Sequence, residues 1–91
     1  MGVTIYSQAG CGKCKNTERQ FDKKGIAYTE IYLTDHPQEE ELREQLRVEG
    51  FDAMPVVKTD LIGNWCDMRP DKIMELDAAN KAAIAELAVA V

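Results

Sequence analysis

Apolar and β-branched residues first gather at Val3-Thr4-Ile5-Tyr6, a short run that predicts a strand. Ser7 to Gly12 is rich in turn formers. From Lys13 to Lys24 the spacing becomes helical, with Thr17 and Phe21 one turn apart on the inner face. Gly25 supplies a stop, and Lys23 and Lys24 suit the negative end of a helix. Ala27 to Leu33 alternates and predicts a second strand: Tyr28, Glu30 and Tyr32 point one way, Ala27, Thr29, Ile31 and Leu33 the other. Asp35 is the expected cap of a second helix, with Pro37 in its first turn and Gln38 completing a capping box. That helix runs to about Glu49, with Leu42 and Leu46 inward, and Gly50 ends it. The run Glu39-Glu40-Glu41 falls in the first turn, where solvated carboxylates suit the positive end of the helix.

After a connector from Phe51 to Met54, Pro55 to Thr59 predicts a third strand. Leu61 to Trp65 predicts a fourth after a turn at Asp60, and Cys66 to Arg69 a loop. Pro70 opens a last helix, with Ile73, Leu76, Ala83, Ile84 and Leu87 as its apolar stripe. Asp77 to Ala79 leaves open whether this helix is one piece or two. The order β-α-β-α-β-β-α describes an α/β fold: a four-stranded mixed sheet with helices on both faces. The first connection is long enough for a helical crossover, so strands one and two are expected parallel, and strands three and four form a hairpin.

At 91 residues, with 45% apolar and 30% charged, the composition is that of one globular domain spanning 1–91. Eleven basic against sixteen acidic residues give a net charge of −5, which argues against a general nucleic-acid binder. No apolar run approaches the ~20 residues of a membrane span. The N-terminal residues lack the pattern of a secretory signal, and Tyr6-Ser7 after Gly2 gives little support to myristoylation. A cytoplasmic, monomeric protein is expected.

Three cysteines cannot close a disulfide framework. In a reducing compartment the Cys11/Cys14 pair is redox-active or metal-binding before it is a structural staple. Cys11-Gly12-Lys13-Cys14 follows the first strand and opens the first helix. There, unpaired backbone N–H groups and the positive dipole end stabilise a thiolate. Lys13 and Lys15 add positive charge. Cys14, one turn further in, is expected to be more buried. Cys11 is therefore the attacking sulfur and Cys14 the resolving one. Half of a structural zinc site is the competing reading, but Cys66 and His36 have no helpful spacing. Pro55, ahead of a β-branched run, belongs at the first position or the edge of a strand.

Strand, CxxC at a helix start, and Met54-Pro55 heading a strand resemble the thioredoxin superfamily; the small size resembles its glutaredoxin branch. Gly25-Ile26-Ala27-Tyr28, Met54-Pro55-Val56-Val57 and Trp65-Cys66-Asp67-Met68-Arg69-Pro70-Asp71 are similar to the NrdH-type redoxins, over roughly residues 3–76. The resemblance implies Cys11 as nucleophile, Cys14 as resolving cysteine and Pro55 as a cis-proline. Gly12, Lys13, Met54, Val56 and Trp65 would border a partner groove, with Lys15, Asp67, Arg69 and Pro70 in support. It implies a thiol-disulfide oxidoreductase that carries electrons without a bound cofactor. Reducing equivalents would come from NADPH through thioredoxin reductase and pass to class Ib ribonucleotide reductase or other disulfide proteins.

Three departures keep alternatives open. Cys66-Asp67 replaces Ser-Gly, and the segment Ile62 to Asp67 also resembles the Gly-Gly-Cys-Asp-Asp region of glutathione-dependent glutaredoxins. Asn64 and Trp65 are bulky where those glycines admit glutathione, and Asp67 is equally placed to cap the last helix. Gly12-Lys13 replaces the family's aliphatic-Gln pair. Ser7-Gln8-Ala9-Gly10 lacks the lysine often found ahead of the first cysteine. A low-turnover binding or metal-carrying module is the third reading. Cys66 is expected to be a non-catalytic thiol, His36 to lie in solvent, Trp65 to be core or groove wall, and Phe21 and Leu42 to be core. Residues 1–34 hold five basic and three acidic groups, whereas residues 35–60 hold three basic and eight acidic. The cysteine-bearing third is thus the least acidic, which suits an acidic partner.

Overall fold

The computed structural model describes residues 2–89. Four strands, β1 (Val3–Ser7), β2 (Thr29–Tyr32), β3 (Val56–Thr59) and β4 (Trp65–Cys66), form one sheet in the order β2-β1-β3-β4. β1 and β2 are parallel; β3 runs antiparallel to both β1 and β4. The expected α/β order is observed, with a mixed sheet between helices.

Strand alternation assigns the two faces. Ile5, Val57 and Trp65 face α1 (Gly12–Lys24) and α3 (Pro70–Val89), packing with Phe21, Ile26, Ile73 and Leu76. Val56 and Leu33 face α2 (Glu39–Val48) and pack on Leu46, with Tyr6, Ile31 and Leu42 half-buried around them. Phe21, fully buried, meets Tyr28 edge-to-face at 5.7 Å; burying such a ring is worth roughly 1.5–3 kcal/mol. Gly25 ends α1 in the left-handed region at φ 69°. Its N–H donates to the Asp22 carbonyl, and the Ile26 N–H donates to that of Phe21. The chain thereby turns back and buries Ile26.

Several boundaries differ from expectation for identifiable reasons. α2 starts at Glu39 without an Asp35 cap. Asp35 takes φ 63° and its N–H donates to Glu39 Oε1 at 3.1 Å, so the helix side chain caps backwards onto the turn. His36 is half-buried rather than in solvent, its Nδ1 accepting the Gln38 N–H at 3.0 Å. Leu61 and Ile62 are in a turn, not a strand, because Thr59 Oγ1 accepts both their N–H groups at 3.2 and 3.1 Å. β4 is displaced to Trp65–Cys66. α3 is unbroken at Asp77, which pairs with Lys81 one turn on at 3.0 Å. Its apolar stripe stops serving the core after Leu76: Ile84 and Leu87 are exposed.

Candidate active site

The redox end is built where β1 hands over to α1. The loop between them is tied to its surroundings: the Ala9 N–H donates to Thr34 Oγ1 at 2.9 Å, and Arg43 of α2 donates to Gln8 Oε1 at 2.8 Å. Gly10 takes φ 67°, a left-handed turn that lets the chain enter the helix at Cys11. Cys11 is the N-cap residue of α1, and its sulfur accepts the Cys14 backbone N–H at 3.1 Å. This is the anion-stabilising position at a helix start. Cys11 and Cys14 are joined as a disulfide with Cα atoms 5.3 Å apart. The two sulfurs differ in access: Cys11 is half-buried, Cys14 only 1% exposed.

Lys13 and Asp67 bring two predicted regions together. Lys13 Nζ lies 2.8 Å from Asp67 Oδ1, and the Asp67 N–H donates to the Pro55 carbonyl at 2.9 Å. The start of α1, the loop after β4 and the head of β3 are thus linked in series. The Lys13 ammonium and then the Met68 N–H hold the Asp67 carboxyl below the usual range. Asp67 therefore does not cap α3, as its sequence position suggested. Its φ of 73° turns the chain, and its carboxylate accepts from Met68 instead. The Thr17 hydroxyl lies 2.9 Å from the Lys13 carbonyl and 3.2 Å from Met68 Sδ, a second tie between loop and helix.

Met54-Pro55 is a cis peptide, and Pro55 is buried. Met54 and Val56 border a cavity of about 180 Å³ on the α2 side, with Phe51 and Asp52. Trp65 belongs to the core and not to a groove wall, being 5% exposed beneath α1 and α3. Arg69 is held by its neighbour: Nε and Nη2 donate to the two Asp71 oxygens at 3.0 and 2.8 Å. Pro70 opens α3, and Gly12 and Lys15 are exposed on the first turn of α1. Cys66 faces α2, opposite to Trp65, with its Sγ 3.8 Å from Asp52 Oδ1. Among the described residues, no three His, Cys, Asp or Glu side chains are grouped to hold a metal ion.

One cluster escaped the sequence reading. Ser7 Oγ donates to Glu30 Oε2 at 2.6 Å, and Glu30 shares a hydrogen bond with Glu18 of α1. Burial, then the hydrogen bond and repulsion from Glu30, push the Glu18 carboxyl up to about 7; Asp22 adds to this and Lys15 opposes it. Hydrogen bonds from Glu18 and Ser7 hold Glu30 down. The four-residue step from Cys14 to Glu18 was a legible signal. The meeting with Glu30 depends on how α1 lies across the strands, which no local pattern encodes.

The glutaredoxin family model matches residues 3–60. The chain is 35% identical over 85 residues to the glutaredoxin-like protein NrdH of Escherichia coli strain K12, covering 93% of this chain and 100% of that one. It is 31% identical to the protein of the same description in Lactococcus lactis subsp. cremoris, covering 81% and 97%. Among solved structures, Escherichia coli NrdH-redoxin, described there as glutaredoxin-like with a thioredoxin-like activity profile, superposes with a TM-score of 0.74 at 34% identity. That match covers 84% of this chain and 95% of the other. A glutaredoxin from Archaeoglobus fulgidus shares the fold at a TM-score of 0.68 and 19% identity, covering 81% and 83%.

Proposed function

The chain belongs to the glutaredoxin family, among its NrdH-like members, and from that premise we propose how it exchanges electrons and with whom. It is a thiol-disulfide oxidoreductase of glutaredoxin-like fold. Cys11 attacks a target disulfide, forming a mixed disulfide; Cys14 then attacks Cys11, and the target leaves reduced. The observation that carries this assignment is the unequal access of the two sulfurs: Cys11 at the helix cap is reachable, Cys14 is not. Gly12, Lys13 and Met54 border the approach beside the buried Pro55, with Lys15 and Asp67 setting its charge.

The electron donor is an NADPH-dependent thioredoxin reductase, and the acceptor is class Ib ribonucleotide reductase or another disulfide protein. The single domain 1–91 acts as a cytoplasmic monomer and holds no cofactor of its own. The Lys13–Asp67 pair supports a protein donor over glutathione. The carboxylate available for a glutathione amine is already engaged by an ammonium, and Asn64-Trp65 stands where glycines would admit the tripeptide.

The test is a donor comparison. Oxidised protein and a disulfide substrate are incubated with NADPH and either thioredoxin reductase or glutathione plus glutathione reductase, and NADPH loss is followed. Rapid turnover with thioredoxin reductase alone is expected. Turnover with glutathione alone would replace this reading by that of a glutathione-dependent glutaredoxin.

A further inference from the structure

The buried sulfur of Cys14 poses a chemical problem that the cysteine pair does not solve by itself. A thiol at 1% exposure ionises reluctantly, because burial disfavours its charged form. Yet it must lose a proton to attack. Four residues on, Glu18 occupies the same face of α1, one turn away. Cys14, Glu18, Glu30 and Ser7 all line one cavity of about 170 Å³ beside β2. That volume accommodates water, which needs about 30 Å³ per molecule.

We propose that the Glu18–Glu30 carboxyl pair is the proton acceptor for Cys14 in the resolving step. The inference rests on the dithiol reading above. In the mixed disulfide, Cys14 Sγ–H gives its proton to the pair. The sulfur electron pair forms the bond to Cys11 Sγ as the bond from Cys11 to the target sulfur breaks. The target sulfur leaves with that bond's electrons and takes a proton from solvent, and the carboxyl pair later returns its own to solvent. The two cysteines are oxidised, the target is reduced, and no further reactant is required.

The surroundings divide the work within the pair. Glu30 is fixed by the Ser7 hydroxyl at 2.6 Å, so Glu18 carries the movable proton. The charged and titratable groups facing Glu18 are Lys15 and Asp22 on α1, Glu30 on β2, Tyr28 just ahead of β2, and Tyr32 of β2, which lines the same cavity. β1 contributes only the neutral Ser7. With Glu18 pushed up to about 7, both its acid and its base forms are present at neutral pH, the condition for efficient proton transfer.

The experiment is single-turnover reduction of a peptide disulfide by the reduced full chain, read as mixed-disulfide formation followed by its resolution. Glu18→Gln is expected to slow resolution about tenfold or more near neutral pH and to remove the inflection near pH 7. Glu18→Asp is expected to restore part of the rate. Mixed-disulfide formation, followed in a Cys14→Ser background, is expected to be the same with and without Glu18→Gln. Resolution that is unchanged by Glu18→Gln across about pH 5.5–8.5 would overturn the inference, as would equal slowing of both steps. Absence of a Cys11 adduct in the Cys14→Ser chain would instead refute the dithiol reading, and this inference with it.

Discussion

At the start of α1 the Cys14 N–H meets the Cys11 sulfur at 3.1 Å, and the helix dipole ends there. Both favour Cys11 as a thiolate, whereas Cys14 receives neither benefit and is almost wholly buried. Lys13 contributes less free positive charge than its position in the sequence implies, because Asp67 shares it. Such an exposed pair is worth little to stability, so its main effect is on the field around Cys11. Glu18 makes a pH prediction with a definite sign. Its ordinary value is 4.5 and its folded value about 7, so between these the folded chain retains a proton that the unfolded chain has released. Its stabilisation is full below 4.5 and is lost as pH rises through about 7. Glu30, Glu39, Glu44, Asp67 and Asp71 are all held below the ordinary range and do not titrate in that window. Thermal midpoints of the oxidised protein, followed through its single tryptophan, Trp65, are expected to fall from about pH 5 to about pH 8. In Glu18→Gln that decline is expected to flatten; an identical slope in both would contradict the assignment.

The elements show how far apolar spacing carries a structural argument. On α3, Leu76 is fully buried against the sheet while Ile84 is 55% exposed, although both fall on the same sequence stripe. Leu76→Ala is expected to cost about 2–5 kcal/mol. Ile84→Lys is expected to change stability by about 0.5 kcal/mol or less. Denaturant titration of the two variants checks the contrast, and comparable losses would show that the distal helix packs. Thr17, Phe21 and Gly25 were legible in advance because spacing and a positive-φ stop act within one helix. The strands β1 and β3 were legible because each is a short β-branched run bounded by turn formers or proline. α2 and β4 were misplaced because side chains compete with the backbone pattern. The Glu39 carboxylate captures the Asp35 N–H, and the Thr59 hydroxyl captures those of Leu61 and Ile62. At the site, the Cys11/Cys14 pair and Pro55 were readable from local order. The Lys13–Asp67 link and the Ser7–Glu30–Glu18 cluster required the fold to be assembled first.

Across the whole molecule, charge is unevenly distributed. The first 34 residues hold five basic and three acidic groups, net +2, while the remaining residues carry a net −7. An acidic partner approaching Cys11 is therefore favoured at low ionic strength and screened over about 8–10 Å at physiological salt. Disulfide peptides with acidic flanks are expected to be reduced faster than basic-flanked ones at low salt, with the advantage fading as salt is added. Rates indifferent to both flank and salt would contradict this steering. Trapping of the mixed disulfide separates the roles of Cys11 and Cys14. The reduced Cys14→Ser chain is mixed with a disulfide target, and the product is mapped by mass spectrometry. A stable one-to-one adduct on Cys11 is the result expected, with none in the Cys11→Ser chain. An adduct on Cys66, or full dithiol turnover retained in Cys11→Ser, would contradict it.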